Sequence, residues 1–238
     1  WSRRERYQGS RHGSRIFCFM VPRPEKLTTY RSEEVARDYD QRWSGLNGRR
    51  RDARKGAVLL KALASLSEQT GETVHSVLDV PCGTARFAER LTKHGYAWTG
   101  ADLSLPMLQH GKSKTECQRS LCADLAKLPF PDQSFDSVVC IRFLHLVRDS
   151  DLRLAFLREL HRVARLGVVT GWHHSHSFRV WGRILRHRAG LRKKSPSNPP
   201  PARIRAELQL AGFENSTWLP VRQIPWTSDK VLVLSQSS

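Results

Sequence analysis

From residue 73 onward, short apolar runs alternate with amphipathic ones. Apolar runs of four to eight residues bounded by turn residues predict buried strands, and apolar positions at spacings of three and four predict helices. Strands are expected over 73–80, 96–102, 119–124, 134–141 and 166–172, with helices over 84–94, 105–111 and 150–164 between them. Thr84 is the expected N-cap of the first of these helices and Gly95 its stop. In the 150–164 helix, Leu152, Phe156, Leu157, Leu160 and Val163 fall on one face. Repeated strand–helix units predict an α/β fold with helices on both faces of a mostly parallel sheet. Such sheets bind ligands beyond the carboxyl ends of their strands.

Upstream, 32–66 reads as helical. Ser32 is a plausible cap, Glu33 and Glu34 suit a first turn, Gly45 to Gly48 interrupts, and a second helix runs over 52–66. Downstream, 173–200 breaks the rhythm, 201–213 reads as a helix, and 216–224 and 230–236 read as closing strands. The expected organisation is a 1–19 extension, a 20–72 helical cap, and a 73–238 domain carrying a 173–200 insert.

Three expected strands end in an acid, namely Asp79, Asp102 and Asp124. Between the first strand and its helix lies Pro81-Cys82-Gly83-Thr84-Ala85, where a glycine lets backbone approach a ligand and a helix start offers free N–H groups. An acid ~20 residues later is placed for ribose hydroxyls. Alone, these features indicate a nucleotide site only weakly.

The longer runs VLDVPCGTARFAERL, TGADLSLPML and CADLAKLPFPDQSFDSVV are more specific. They resemble the class I S-adenosylmethionine-dependent methyltransferases, and most closely the small-molecule type that includes quinone-biosynthesis methyltransferases. The resemblance covers roughly residues 30–238 and is strongest over 77–165. It implies a Rossmann-like methyltransferase fold, with a seven-stranded, mostly parallel sheet closed by an antiparallel C-terminal hairpin. It also implies S-adenosylmethionine as cofactor, S-adenosylhomocysteine as product and a small-molecule or lipid-like acceptor.

Residue by residue, the resemblance puts Asp79, Pro81, Cys82 and Gly83 against the methionine part of the cofactor and Asp102 on the ribose with Leu103 beside it. Asp124 would take the adenine amino group, Leu125 and Met107 would flank the ring, and Cys140 to Arg142 would border the methionine moiety. Tyr39 stands where the family often places a cofactor-touching aromatic. Two departures stand out. Ala85 replaces the last glycine of the first motif, and the turn before the fifth strand is ARLG in place of Pro-Gly-Gly. At negative φ the Ala85 methyl costs little; at positive φ it is strained.

His145, just past the fourth strand, is the best-placed candidate base, against a purely structural role. His173, His174 and His176, past the fifth strand, could serve as base or bind substrate. The His-His-x-His spacing has no nearby acid or Cys, so a metal is not favoured.

The chain has 238 residues, 40 Lys and Arg against 22 Asp and Glu, and a formal net charge of +18. That excess suits nucleic acid or an anionic surface and does not bear on fold. Five Arg and one Glu lie in 1–19, ahead of Met20, so that stretch is expected to be a disordered or non-native extension, with a genuine basic arm as the alternative. The insert helix over 178–194 carries Phe178, Trp181, Ile184 and Leu185 on one face and Arg179, Arg183 and Arg186 on the other. It reads either as a lid whose basic face meets phosphate, RNA or anionic lipid, or as a helix packed on the domain with a solvated basic face.

Five irregularly spaced Cys (Cys18, Cys82, Cys117, Cys122 and Cys140) argue against a disulfide framework or zinc ribbon. With no leader-like segment, a cytoplasmic setting is expected. A tRNA-type RNA methyltransferase and a non-catalytic methyltransferase-like partner are the alternatives. Ser197-Asn198-Pro199-Pro200 resembles the Asn-Pro-Pro-Tyr of amino-directed nucleic-acid methyltransferases but lies far from the fourth strand, and Pro81-Cys82 lies in the cofactor loop.

Overall fold

Long apolar runs such as SVVC and VLVL have no polar face to show water, so their strands must be covered on both sides. The computed structural model, which describes residues 33–41, 45–112, 119–193, 198–222 and 227–237, covers them with helices. The expected 1–19 extension, the Met20 start and the Ser32 cap lie outside the described residues. The elements are α1 (Glu33–Tyr39), α2 (Leu46–Thr70), β1 (Ser76–Asp79), α3 (Ala88–Lys93), β2 (Ala97–Asp102), α4 (Leu105–Lys112), β3 (Ser120–Cys122) and β4 (Phe135–Cys140). After a 3-10 turn, Leu144–Leu146, follow α5 (Ser150–Val163), β5 (Ala164–His173), α6 (Phe178–Arg188), α7 (Pro201–Leu210), β6 (Phe213–Pro220) and β7 (Lys230–Ser237).

The sheet runs β3-β2-β1-β4-β5-β7-β6. The first five strands are parallel, and β7 is antiparallel to both β5 and β6. The expected seven-stranded sheet with an antiparallel C-terminal hairpin is therefore present. Because strand side chains alternate, each strand feeds two cores. Leu78, Val138, Val168 and Val233 pack with Phe156, Leu157 and Leu160 of α5 and Ile204 and Leu208 of α7. Val77, Val139, Val169 and Leu234 pack on the other face with Leu59, Leu63 and Leu66 of α2 and Leu91 of α3. Each fully buried leucine contributes about 1.5–3 kcal/mol.

Two helices differ from their sequence pattern. The break expected at Gly45 to Gly48 narrows to Gly45, whose extended backbone caps α2, and the helix expected over 52–66 runs from Leu46 to Thr70, where Gly71 at φ +72° ends it. Tertiary packing overrides the weak helix propensity of glycine here. At Gly56 a Cβ would collide with the Arg90 side chain of α3. The helix expected from Thr84 starts only at Ala88. The Thr84 hydroxyl donates instead to Asp40 Oδ1 at 2.9 Å. The intervening residues form the turn that shapes the site.

Ala85 adopts φ +54°. A left-handed alanine costs about 1–2 kcal/mol in backbone strain. Its methyl is buried in the core rather than lining a cavity, and Gly111 of α4 makes room for it. A Cβ at Gly111 would stand 3.3 Å from the Ala85 Cβ and 3.0 Å from the Thr84 carbonyl carbon. The other departure is resolved by α5 passing directly into β5 at Ala164 without a glycine turn.

A buried ion pair joins α5 to α7. Arg153 and Glu207 are 5% and 7% exposed. Arg153 Nε donates to Glu207 Oε2 at 2.6 Å, Nη2 to Oε1, and Nη1 to the Val147 carbonyl at 2.6 Å. Glu207→Ala strands the buried guanidinium and is expected to lower unfolding stability by about 3–5 kcal/mol in urea titration, most of it recovered when Arg153→Met is added. Ala85→Gly is expected to raise Tm by about 2 °C in a thermal scan by relieving the left-handed strain.

Candidate functional site

The site begins where β1 and β2 stop. After β1, Val80-Pro81 is a cis peptide, and Cys82 N–H donates to the Ala101 carbonyl of β2 at 2.9 Å. Gly83, at φ +58°, turns its N–H onto Asp102 Oδ2 at 2.8 Å, while Ser104 N–H donates to Oδ1 at 2.8 Å. One carboxylate thus clasps both loops. A Cβ on Gly83 would meet nothing within 4 Å, so the loop presents open space there. Gly100 serves close approach on the other side, where a Cβ would stand 2.9 Å from Cys82 Sγ. Burial raises the Cys82 thiol well above its usual range, which suits a packed thiol and not a nucleophile.

These loops frame a cavity of about 1110 Å³, part of it open to solvent. Asp79, Pro81, Cys82, Gly83, Asp102, Leu103, Met107 and Leu125 line one side, and Tyr39, Ile141, Arg142 and His145 the other. Helix α1 reaches it through Tyr39, and Asp40, just after the helix, meets Thr84 and lies 3.5 Å from His110 Nε2. The Arg142 guanidinium stands 5.2 Å over the Tyr39 ring, and Arg142 itself has φ +69°.

Asp79 is the electrostatic anomaly of this cavity. Its carboxylate is buried, and Oδ2 has no hydrogen-bond partner among the described residues. The Trp98 indole lies near without hydrogen-bond geometry and offsets part of the penalty. Burial, aided by the Asp102 charge, raises the Asp79 pKa to about 7. A cation or an N–H donor in the cavity would relieve it.

A second, much smaller cleft, about 210 Å³ with the solvent it opens to, adjoins the first and shares Arg142 and His145. Lys55 of α2, His173 at the end of β5 and Lys230 at the start of β7 line it, and the β5–β7 register sets Lys230 opposite His173. Gly171 keeps β5 close to the β4 loop, since a Cβ there would stand 3.2 Å from Ile141 Cα. The His145 and His173 rings stack at 4.1 Å. Burial, reinforced by neighbouring cations, lowers them to about 3 and about 4, so both are neutral at pH 7. Lys55 falls to about 7, first through burial and then through Arg142 and Lys230.

Three sequence candidates stand elsewhere. Cys140 is wholly buried in the core behind the cavity, where burial raises its thiol pKa. Asp124 lies between the lining residues Ala123 and Leu125 without lining the cavity itself, and its Oδ1 accepts from Ala126 N–H at 2.7 Å. His173 lines the second cavity and not the first.

On α6, Val180 is the buried residue and Arg183 pairs with Asp229 at 2.8 Å. Phe178, Trp181 and Leu185 are 61%, 51% and 69% exposed, so the apolar face expected to be covered faces solvent. Sequence reasoning missed Arg86, Phe87, Ser104 and Phe143 in the first cavity, and Lys55 and Lys230 in the second. Pairing the closing strand against the fifth could have found Lys230. Nothing in the pattern of α2 marks Lys55.

Residues 78–169 match the family model described as a methyltransferase domain. A malonyl-[acyl-carrier protein] O-methyltransferase of Erwinia pyrifoliae is 40% identical over 113 residues, covering 44% of this chain and 42% of that protein. A demethylmenaquinone methyltransferase of Streptomyces griseus is 34% identical over 91 residues, covering 38% of each. The chain thus spans about two-fifths of the length of the curated relatives it matches. Among solved structures, magnesium protoporphyrin IX methyltransferase from Synechocystis, with S-adenosylhomocysteine bound, superposes at TM-score 0.63 and 17% identity over 90% of this chain and 100% of that one. A possible histamine N-methyltransferase from Thermotoga maritima superposes at TM-score 0.58 and 17% identity, over 87% and 98%. At such identities the likeness is one of fold. The chain carries a methyltransferase domain, matched over residues 78–169, within the Rossmann-like fold of the S-adenosylmethionine-dependent methyltransferases.

Proposed function

We propose that the protein is an S-adenosylmethionine-dependent methyltransferase acting on a small-molecule acceptor. The observation that carries this is Asp79, a buried cavity-lining carboxylate with a partnerless oxygen, next to a loop that opens at Gly83. Those features fit the cofactor's ammonium group. Asp102, fixed at both oxygens by backbone N–H groups, presents its remaining lone pairs to ribose hydroxyls. Met107 and Leu125 offer apolar surface for the adenine, with Asp124 behind them. Tyr39 and Arg142 close the methionine side.

Bound there, the cofactor supplies a methyl group on a sulfonium centre for in-line displacement by the acceptor. The protein's own task is chiefly alignment and exclusion of water. His145 lines the same cavity and is neutral, so it can accept a hydrogen bond from an acceptor hydroxyl or amine.

The RNA reading draws on the net charge of +18. The non-catalytic reading draws on Ala85, whose methyl packs into the core and leaves the cavity open. A cytoplasmic setting belongs to the main reading. It is supported by the free thiols Cys82, Cys122 and Cys140 and by the lack, among the described residues, of any helix long and apolar enough to cross a membrane. An anionic partner for the 178–194 insert is supported by the exposed Arg179, Arg186 and Arg188.

Calorimetric titration with S-adenosylmethionine and S-adenosylhomocysteine tests the proposal. Micromolar affinity is expected, with a loss of at least about tenfold, or about 1.4 kcal/mol, in Asp102→Ala. No binding by folded protein would sink it. Asp79 also gives a pH signature. Its folded pKa of about 7 lies above the ordinary 3.8, so in the free protein its contribution to stability falls as pH rises between those values. Binding of the cation requires the ionised form, so affinity should rise from pH 6 to pH 8 with release of a proton. Asp79→Asn should flatten both dependences.

A further inference from the structure

Five cations gather at the carboxyl ends of β4 and β5 and the start of β7. Lys55, Arg142 and Lys230 line the second cavity, with Arg86 and Arg183 alongside. Among the described residues three carboxylates act on them, Asp52, Asp79 and Asp229. Asp52 is engaged by Arg86 at 2.9 Å and Asp229 by Arg183 at 2.8 Å. Arg51 and Arg179 bring still more positive charge toward Lys230. Among the described residues, no hydrogen bond or ion pair engages the ammonium of Lys55 or of Lys230. Asp52 and Asp229 offset only part of the burial and repulsion acting on Lys55 and Lys230, so both ammonium groups stay lowered, and a bound anion would supply further negative charge.

We propose that this cavity binds the anionic group of the methyl acceptor, and that the acceptor is a small molecule bearing a carboxylate or phosphate held by Lys55, Arg142 and Lys230. The inference rests on the methyltransferase reading and goes beyond it by naming the acceptor's chemical class. Two features support the placement. The cavity opens into the larger cavity through Arg142 and His145, so an acceptor anchored there extends toward the cofactor side. Its remaining polar lining, His145 and His173, can donate to an anion once protonated. Burial and mutual repulsion bring Lys55 down to about 7, with Arg142, Lys230 and Arg86 acting against Asp52. An anion reverses that balance, so its binding should take up protons.

The test is calorimetric titration with sodium succinate and, in a separate arm, inorganic phosphate. Succinamide serves as the uncharged comparison. Each titration is run at pH 7.5 in two buffers of different ionisation enthalpy, with and without saturating S-adenosylhomocysteine. One anion is expected to bind at least tenfold more tightly than succinamide, with net proton uptake. Lys55→Met and Lys230→Met should each weaken that binding about tenfold while changing S-adenosylhomocysteine affinity less than twofold. Lys55→Arg, which keeps the charge, should retain it and guards against misfolding as the cause. The arm that binds identifies the anion as carboxylate or phosphate. If S-adenosylhomocysteine binds but neither anion exceeds succinamide, or if both methionine variants bind anions as the parent does, the anion site is overturned and the cofactor reading stands. If the anion binds with proton uptake while S-adenosylhomocysteine does not bind, the anion site stands and the cofactor reading falls.

Discussion

The carboxylate of Asp102 fixes the edge of the sheet on which the rest of the site is built. Parallel strands end with their last backbone groups unpaired, and the loops leaving them need an anchor. Asp102 provides it by accepting from Gly83 on one oxygen and from Ser104 on the other. A short, charge-assisted bond to a backbone N–H is worth about 1.5–3 kcal/mol, and two of them leave the side chain no freedom to rotate away. The positive φ of Gly83 is what brings its N–H to the carboxylate. The left-handed Ala85 two residues later, and the Thr84 hydroxyl turned out to Asp40 just past α1, follow from the same turn. The loop therefore reaches the cofactor side already folded, and less ordering entropy opposes binding.

The charge of the site is divided across the sheet. Asp79 and Asp102 lie at the ends of β1 and β2, while Arg142, Lys230 and the two stacked histidines lie at the ends of β4, β5 and β7. Each half is strained by its own like charges. Asp79 is pushed up by burial and by Asp102, and Lys55 is pushed down by burial and by Arg142 and Lys230. A cationic ligand on the first side and an anionic one on the second would relieve both. In such a low-dielectric setting the separation also fixes which end of each ligand goes where.

Most of the first half was legible in the sequence. The strand-end acids and the Pro81–Ala85 turn are local signals that survive folding, because strand, turn and acid are contiguous in the chain. The layered sheet followed from apolar runs with no polar face. What did not follow came from packing between distant segments. The α2 helix runs through Gly56 where the Arg90 side chain of α3 packs too close to admit a Cβ. Lys55 and Lys230 meet only because α2 and β7 converge on the end of β5, and neither residue is unusual in its local pattern. Cys140 was read as bordering the cavity because it ends β4, but strand alternation turns it into the core and gives that border to Ile141 and Arg142. The exposed apolar face of α6 differs for a similar reason. Arg183 anchors to Asp229 and Val180 is the one fully buried residue of α6, while Phe178, Trp181 and Leu185 point outward.

The stacked histidines limit what general-base catalysis can contribute. At about 3 and about 4, His145 and His173 are unprotonated at neutral pH, but they are also poor proton acceptors. A base works best with a pKa near the working pH, where availability and driving force are both high. An acceptor that must lose a strongly held proton would therefore gain little from either ring in the free protein. A carboxylate or phosphate held by Lys55, Arg142 and Lys230 needs no base, and for it the neutral rings and the cations serve as positioning groups. The low pKa values that make His145 a weak base thus agree with a site in which a charged anchor positions the acceptor, leaving alignment as the main work of the protein.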